Sequence, residues 1–226
     1  MNYSFVAFAG TLFTLALSAA TPSNARSTSS NIGTPNSKGQ HDGYFYQWWS
    51  DTGATANYTN EPGGKFTVNW WKNGTFVGGK GWSPGSSDRV FNYIGIFEPS
   101  GYSLVTFYGW TRDPRVEYYI VESFGDYTPA TDTVRKGEAT CNGATYEIGN
   151  TWRPDPDSPN FPIGSFQQIW AVRVPKKGVG KINGTIDFGC HVRAWRALGM
   201  ELGAHDWQIM AIDGYFSSGH ATIEII

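Results

Sequence analysis

The stretch SLVTFYGWTRDPRVEYYIVE, residues 103–122, decides the fold class. Its side chains alternate with period two, as strands require when successive residues point to opposite faces. Over Ser103 to Thr111 the alternation puts Thr106, Tyr108 and Trp110 on one face and Val105 and Phe107 on the other. Over Arg115 to Glu122 one face carries Arg115, Glu117, Tyr119 and Val121, and the opposite face Val116, Tyr118, Ile120 and Glu122. A carboxylate in mid-strand, flanked along its face by a tyrosine, marks either a hydrated outer surface or a cleft. The tyrosine and tryptophan of the neighbouring strand favour the cleft.

Outward from this stretch the alternation recurs, punctuated by Gly, Pro, Asn and Asp as hairpins demand. Strands are expected over Gly64 to Trp71, Ser165 to Val174, Lys181 to Phe188, Trp207 to Ile212 and His220 to Ile226. One stretch departs from it. Val192, Trp195 and Leu198 fall on one helical face, and Gly199 stands where a helix is capped. The fold class is therefore all-β with a single helix, and 226 residues suit one domain with one sizeable core.

The chain opens differently. Met1 to Ala20 holds an apolar run ending in Ser18-Ala19-Ala20, too short for a membrane anchor and flanked like a secretion signal. Residues 21–40 are rich in Ser, Thr, Asn, Pro and Gly without apolar period, which reads as a disordered leader or propeptide. The folded domain is expected over 41–226, in a secreted, extracellular protein. Asn57-Tyr58-Thr59, Asn73-Gly74-Thr75 and Asn183-Gly184-Thr185 are sequons compatible with glycosylation.

Composition narrows the partner. The formal net charge is -2 and 16% of residues are aromatic, ten of them Trp, a balance that argues against nucleic acid, where a basic stripe would be needed to neutralise phosphates. Neither nucleic acid nor a membrane is expected as a partner. A neutral ligand that stacks on rings, such as a polysaccharide, fits better. Cys141 and Cys190, in a chain carrying a secretion signal, read as a disulfide against the alternative of two buried thiols. His41, His191, His205 and His220 are too scattered for a metal site, and no cofactor motif occurs.

Several segments together resemble glycoside hydrolase family 11, whose fungal-type members are secreted endo-1,4-β-xylanases. They are Gly43-Tyr44-Phe45-Tyr46, Gly78-Gly79-Lys80-Gly81-Trp82, Pro84-Gly85-Ser86, Tyr108-Gly109-Trp110-Thr111-Arg112, Val116-Glu117-Tyr118-Tyr119 and Asp213-Gly214-Tyr215-Phe216-Ser217-Ser218-Gly219. The resemblance implies a β-jelly roll of two twisted antiparallel sheets forming a cleft, acting as a monomer on xylan or xylo-oligosaccharide. It implies retaining hydrolysis by two carboxylates. Glu117 falls on the nucleophile and Asp213 on the acid/base position. Tyr108 and Tyr119 match tyrosines that hold nucleophile and sugar, Trp49 matches a stacking tryptophan, and Arg153 and Gln168 match polar cleft residues. Trp110 shares the cleft face with Tyr108. Cys141 and Cys190 stand where some members carry a disulfide.

The chain also departs from the family. Asp213 replaces a glutamate, which withdraws the carboxyl by one methylene, and a misplacement of about 1 Å can cost about a hundredfold in rate. Thr75 stands where Asn or Asp is usual beside the acid/base residue, and its hydroxyl can donate one hydrogen bond to that carboxyl. Trp207, on the strand face of Asp213, replaces a common tyrosine. The usual thumb tip is replaced by Pro154-Asp155-Pro156-Asp157-Ser158-Pro159-Asn160-Phe161-Pro162, stiffened by four prolines. These departures leave two other readings beside an active xylanase: an impaired, xylan-binding elicitor or decoy, and a β-sandwich glucanase.

Overall fold

The structure, a computed structural model, describes residues 33–155 and 164–226. In chain order its elements are β1 (Ser37–His41), β2 (Tyr44–Ser50), β3 (Thr55–Asn60), β4 (Gly64–Trp71), β5 (Thr75–Trp82), β6 (Val90–Arg112) and β7 (Val116–Phe124). A 3-10 turn, Pro129–Asp132, leads to β8 (Val134–Cys141), β9 (Ala144–Pro154), β10 (Ser165–Val174), β11 (Gly180–Asp187), α1 (Phe188–Ala197) and β12 (Ala204–Ile225). Residues 1–20 and most of the expected leader lie outside the described residues, as does the thumb from 156 to 163. Among the described residues no helix is long and apolar enough to cross a membrane.

The larger layer runs β1-β2-β5-β12-β6-β7-β10-β9-β8. Two long strands carry the chain into a second layer. β12 pairs with β5 over 208–215 and with β4 over 219–225. β6 likewise pairs with β7 over 104–111 and with β11 over 90–97. The smaller layer is therefore β3-β4-β12-β6-β11. Side chains from the facing sides of both layers, among them Trp48, Trp70, Phe107 and Tyr118, fill the main core. Each fully buried aromatic contributes about 2–3 kcal/mol by leaving water. A second cluster with Leu104, Tyr108, Tyr119, Trp170 and Ile209 lies on the other face of the larger layer. This is the jelly roll with one helix that the resemblance implied.

The Gly78-Gly79-Lys80-Gly81 run explains how β5 seats against its neighbours. A Cβ at Gly79 would stand 1.9 Å from the Met210 carbonyl oxygen, so only glycine permits that approach. Between the glycines Lys80 is fully buried, and its Nζ donates to the carbonyls of Glu61 and Gly63, both at 2.6 Å. The turn between β3 and β4 is thereby tied to the larger layer.

Four expectations are corrected. Trp207 to Ile212 and His220 to Ile226 are one strand, because the Gly/Ser run between them makes a bulge between Tyr215 and Ser218 rather than a turn. β7 and β10 are parallel, so the sheets are not wholly antiparallel; the β8–β9 hairpin intervenes and returns the chain in the same direction. Ser37–His41, expected largely in the leader, pairs with β2 and extends the sheet. The helix begins at Phe188, ahead of Val192, because Asp187 caps it by accepting the Cys190 backbone N–H at 3.0 Å.

Cys141, at the end of β8, and Cys190, in the first turn of α1, form a disulfide with Cα atoms 5.9 Å apart. Closing a loop of 49 residues contributes about 4 kcal/mol in the chain-entropy treatment.

Candidate active site

Strand register gathers most of the expected residues into two rows across the larger layer. In the first, Thr151 of β9 lies beside Gln168 of β10, Gln168 beside Glu117 of β7, Glu117 beside Trp110 of β6, and Trp110 beside Trp207 of β12. In the second, Trp49 of β2 lies beside Val77 of β5, Val77 beside Asp213 of β12, and Asp213 beside Leu104 of β6. Directly paired residues share a face. Both rows open on one cavity of about 440 Å³, lined by Trp49, Thr75, Tyr108, Trp110, Glu117, Tyr119, Trp207 and Asp213 among others. Glu117 and Asp213 thus share a compartment.

Glu117 is only 6% exposed, and its two oxygens are held by neutral donors. Tyr108 and Tyr119 hydroxyls donate to Oε1 at 2.6 and 2.9 Å, and the Gln168 amide donates to Oε2. The Gln168 amide oxygen accepts from Thr151 Oγ1 and Arg153 Nε, both at 2.9 Å, which turns its NH₂ toward Glu117. Trp110 Nε1 donates to the Tyr108 hydroxyl at 2.8 Å, and Trp170 stacks flat on Tyr119 with centroids 3.8 Å apart. Burial pushes the Glu117 carboxyl above its ordinary range, opposed by the three hydrogen bonds and by Arg153. Burial, then the Glu117 charge, also pushes the Tyr108 and Tyr119 phenols well up, so both stay neutral donors.

Asp213 is held otherwise. It accepts no hydrogen bond from a described side chain, and burial followed by the Glu117 charge pushes its carboxyl up to about 7. Two carboxyls thus share one cavity in unlike surroundings, one wired to neutral donors and the other without them and raised to about 7. Beneath Asp213, a Cβ at Gly214 would meet the Phe76 ring at 2.4 Å, so glycine there lets the strand lie close over that ring.

A second cavity of about 440 Å³ shares Thr75, Tyr119 and Asp213 with the first and continues past Tyr102, Arg153, Gln168 and Tyr215. The site is thus a groove open on both sides of Asp213, shaped for a chain rather than a capped small molecule. Among the described residues no group of three or more His, Cys, Asp or Glu could hold a metal ion.

One expectation fails in detail. Thr75 lines the groove, but its hydroxyl and its backbone N–H both go to Asp51 Oδ2, at 3.2 and 3.0 Å, so its proton is not given to Asp213. Sequence reasoning missed Asp51, Gln47, Tyr102, Thr151 and Trp170. Gln47, Thr151 and Trp170 stand two residues from Trp49, Arg153 and Gln168, so the alternation held a signal for them. Asp51 sits in a turn, where no periodicity points. The sequons at Asn57, Asn73 and Asn183 all lie at exposed positions.

The pattern described as "Glycosyl hydrolases family 11" matches residues 41–224. The chain is 50% identical over 196 residues to endo-1,4-beta-xylanase A of Schizophyllum commune, covering 85% of this chain and 99% of that protein. It is 48% identical over 193 residues to endo-1,4-beta-xylanase 4 of Pyricularia oryzae, covering 85% and 81%. With endo-1,4-beta-xylanase 1 of Leucoagaricus gongylophorus it shares 48% over 199 residues, covering 87% and 85%. The match spans the jelly roll and the groove alike, and the chain belongs to glycosyl hydrolase family 11.

Proposed function

We infer that the chain hydrolyses internal β-1,4 linkages of xylan with retention of configuration, Glu117 acting as nucleophile and Asp213 as acid and base. A carboxylate oxygen of Glu117 attacks the anomeric carbon, and the protonated Asp213 gives its proton to the departing glycosidic oxygen. Asp213, now a carboxylate, takes a proton from water; that water attacks the anomeric carbon and releases Glu117. The observation that carries this reading is one groove holding a donor-bound carboxylate and a second carboxyl raised to about 7. The groove's extent on both sides of Asp213 supports cleavage within a chain.

The sugar's apolar faces meet Trp49, Trp110 and Trp207, while Arg153 and Gln168 serve its hydroxyls. Asp213 reaches less far than a glutamate would, which limits the rate without removing the acid. Residues 1–20 act as a secretion signal, residues 21–36 as a leader, and the remainder as the secreted, monomeric catalytic domain.

The test is a time course of reducing-sugar release from xylan, cellulose and mixed-linkage glucan between pH 4 and 8. Short xylo-oligosaccharides should accumulate from xylan alone. Inert xylan at every pH overturns the assignment.

A further inference from the structure

β11 is an edge strand of the smaller layer, and its register with β6 decides what surrounds the sequon Asn183-Gly184-Thr185. Asn183 is opposite Ile94, Lys181 opposite Ile96 and Thr185 opposite Asn92. Opposed residues of an antiparallel pair project to the same side, with Cβ atoms about 5 Å apart. On the far side of β6, Ile94 is opposite Glu224 and Ile96 opposite Thr222, which in turn are opposite Lys65 and Thr67 of β4. This outer face therefore carries hydroxyl, amide and charged side chains around two isoleucines, Ile94 and Ile96, which are 41% and 38% exposed.

A single apolar side chain on a surface needs no cover. These two are neighbours, and they line an open cavity of about 380 Å³ together with Lys181, Asn183, Thr222 and Glu224 among others. Asn183 is exposed, and among the described residues its amide has no side-chain partner. A Cβ at Gly184 would stand 2.9 Å from the Tyr93 ring, so the strand lies directly on the core and holds Asn183 outward. The Thr185 hydroxyl donates to Asn92 Oδ1 at 2.7 Å on the same face. An acceptor amide, the threonine its modification requires and an uncovered apolar floor thus stand side by side.

We propose that Asn183 carries an N-linked glycan whose first N-acetylhexosamine ring lies in this cavity and covers Ile94 and Ile96. The C–H face and the acetyl methyl of the sugar meet the isoleucines, and its hydroxyls meet Lys181 and Thr222. The new bond joins Asn183 Nδ2 to the anomeric carbon of a glycosyl pyrophosphate donor. The anomeric C–O bond breaks, the pyrophosphate leaves with its electron pair, and one amide proton passes to a base. The proposal goes beyond the hydrolysis of xylan and rests only on the secretion inferred above, since that route supplies the donor.

The test recovers the full chain from the medium of a yeast host. Enzymatic release of N-glycans in heavy-oxygen water should convert Asn183 to labelled aspartate, read by peptide mass spectrometry. Asn183→Gln should lower Tm by about 2–4 °C relative to the glycosylated chain. Thr185→Ala, which also blocks transfer, should give a similar fall, whereas Thr185→Ser keeps the sequon and should not. In an Ile94→Thr, Ile96→Thr background, Asn183→Gln should leave Tm unchanged, because no apolar floor is left to cover. A secreted chain bare at Asn183, a Tm unmoved by Asn183→Gln, or an equal fall in both backgrounds overturns the proposal and leaves secretion standing. A bare chain found only inside the cells overturns the secretion signal and the glycan with it.

Discussion

β7 carries two buried carboxylates, five residues apart and on opposite faces, and their surroundings separate chemistry from support. Glu117 and Glu122 are 6% and 1% exposed. Each accepts two tyrosine hydroxyls, from Tyr108 and Tyr119 in the first case and from Tyr93 and Tyr146 in the second. The third partner differs. Glu117 has a neutral amide and an open cavity, whereas Glu122 has Arg173 at 3.9 Å and Lys177 at 3.6 Å. Behind Glu122 there is no room either, since a Cβ at Gly184 would stand 3.0 Å from its Oε2. Full counter-charges use up the charge of a carboxylate and fix the chain around it. Neutral donors orient the carboxylate without cancelling its charge, which suits the nucleophile role proposed for Glu117.

The comparison breaks most visibly at Glu117. Glu117→Gln keeps the shape and the burial but removes the attacking oxygen anion, so xylan hydrolysis should fall on the order of 10⁴-fold or more. Reducing-sugar release per folded molecule measures it, and a loss under tenfold contradicts the nucleophile assignment. Glu122→Gln should do the opposite. It leaves two cations facing a neutral group, at a stability cost of about 3 kcal/mol seen in urea unfolding, with turnover per folded molecule intact. A slow but stable Glu122→Gln protein shows that the two faces are not separate.

Asp213 sharpens the same contrast from across the groove. Asp213→Glu returns the missing methylene and should raise turnover roughly tenfold to a hundredfold, if reach is the defect. The pH profile of the unsubstituted chain should fall on its alkaline side near pH 7, where Asp213 gives up its proton. Its acid side should lie above the ordinary carboxylate range, because burial raises Glu117 as well. A rate still rising well beyond pH 8 removes Asp213 from the acid role.

How much of this could be read in the residues depended on whether the physics was local. The alternation gave β4 and β10 with their observed bounds, because each crosses a single layer and ends at a turn. β6 and β12 were seen only in pieces. Pro99-Ser100-Gly101 and Ser217-Ser218-Gly219 look like turns, yet they are where a strand passes from one layer to the other. The face of Glu117 was legible by parity, and so was the seclusion of Glu122. The Gln168 contact was not, since parallel pairing of β7 with β10 joins strands separated by the β8–β9 hairpin, and alternation carries no information about which strands meet. The Asp51 bond to Thr75 was equally hidden.

The finest test lies in the tyrosines that both carboxylates share as a motif. Tyr119 donates to Glu117 at 2.9 Å, and that bond favours the charged form. Tyr119→Phe removes it while keeping the ring stacked on Trp170, so the Glu117 carboxyl rises further and the acid side of the profile moves to higher pH. The alkaline side belongs to Asp213 and should hold near 7, which narrows the profile from one edge only. The rate at the optimum should fall about tenfold, as expected for one lost hydrogen bond to a charge. Tyr146→Phe makes the matching deletion at Glu122, which the proposed reaction does not use. It should cost about 1–2 kcal/mol of stability and leave both edges of the profile in place. If Tyr146→Phe moved the acid edge as Tyr119→Phe does, Glu122 would be coupled to the groove through β7, and the division between a reacting face and a supporting face would fail.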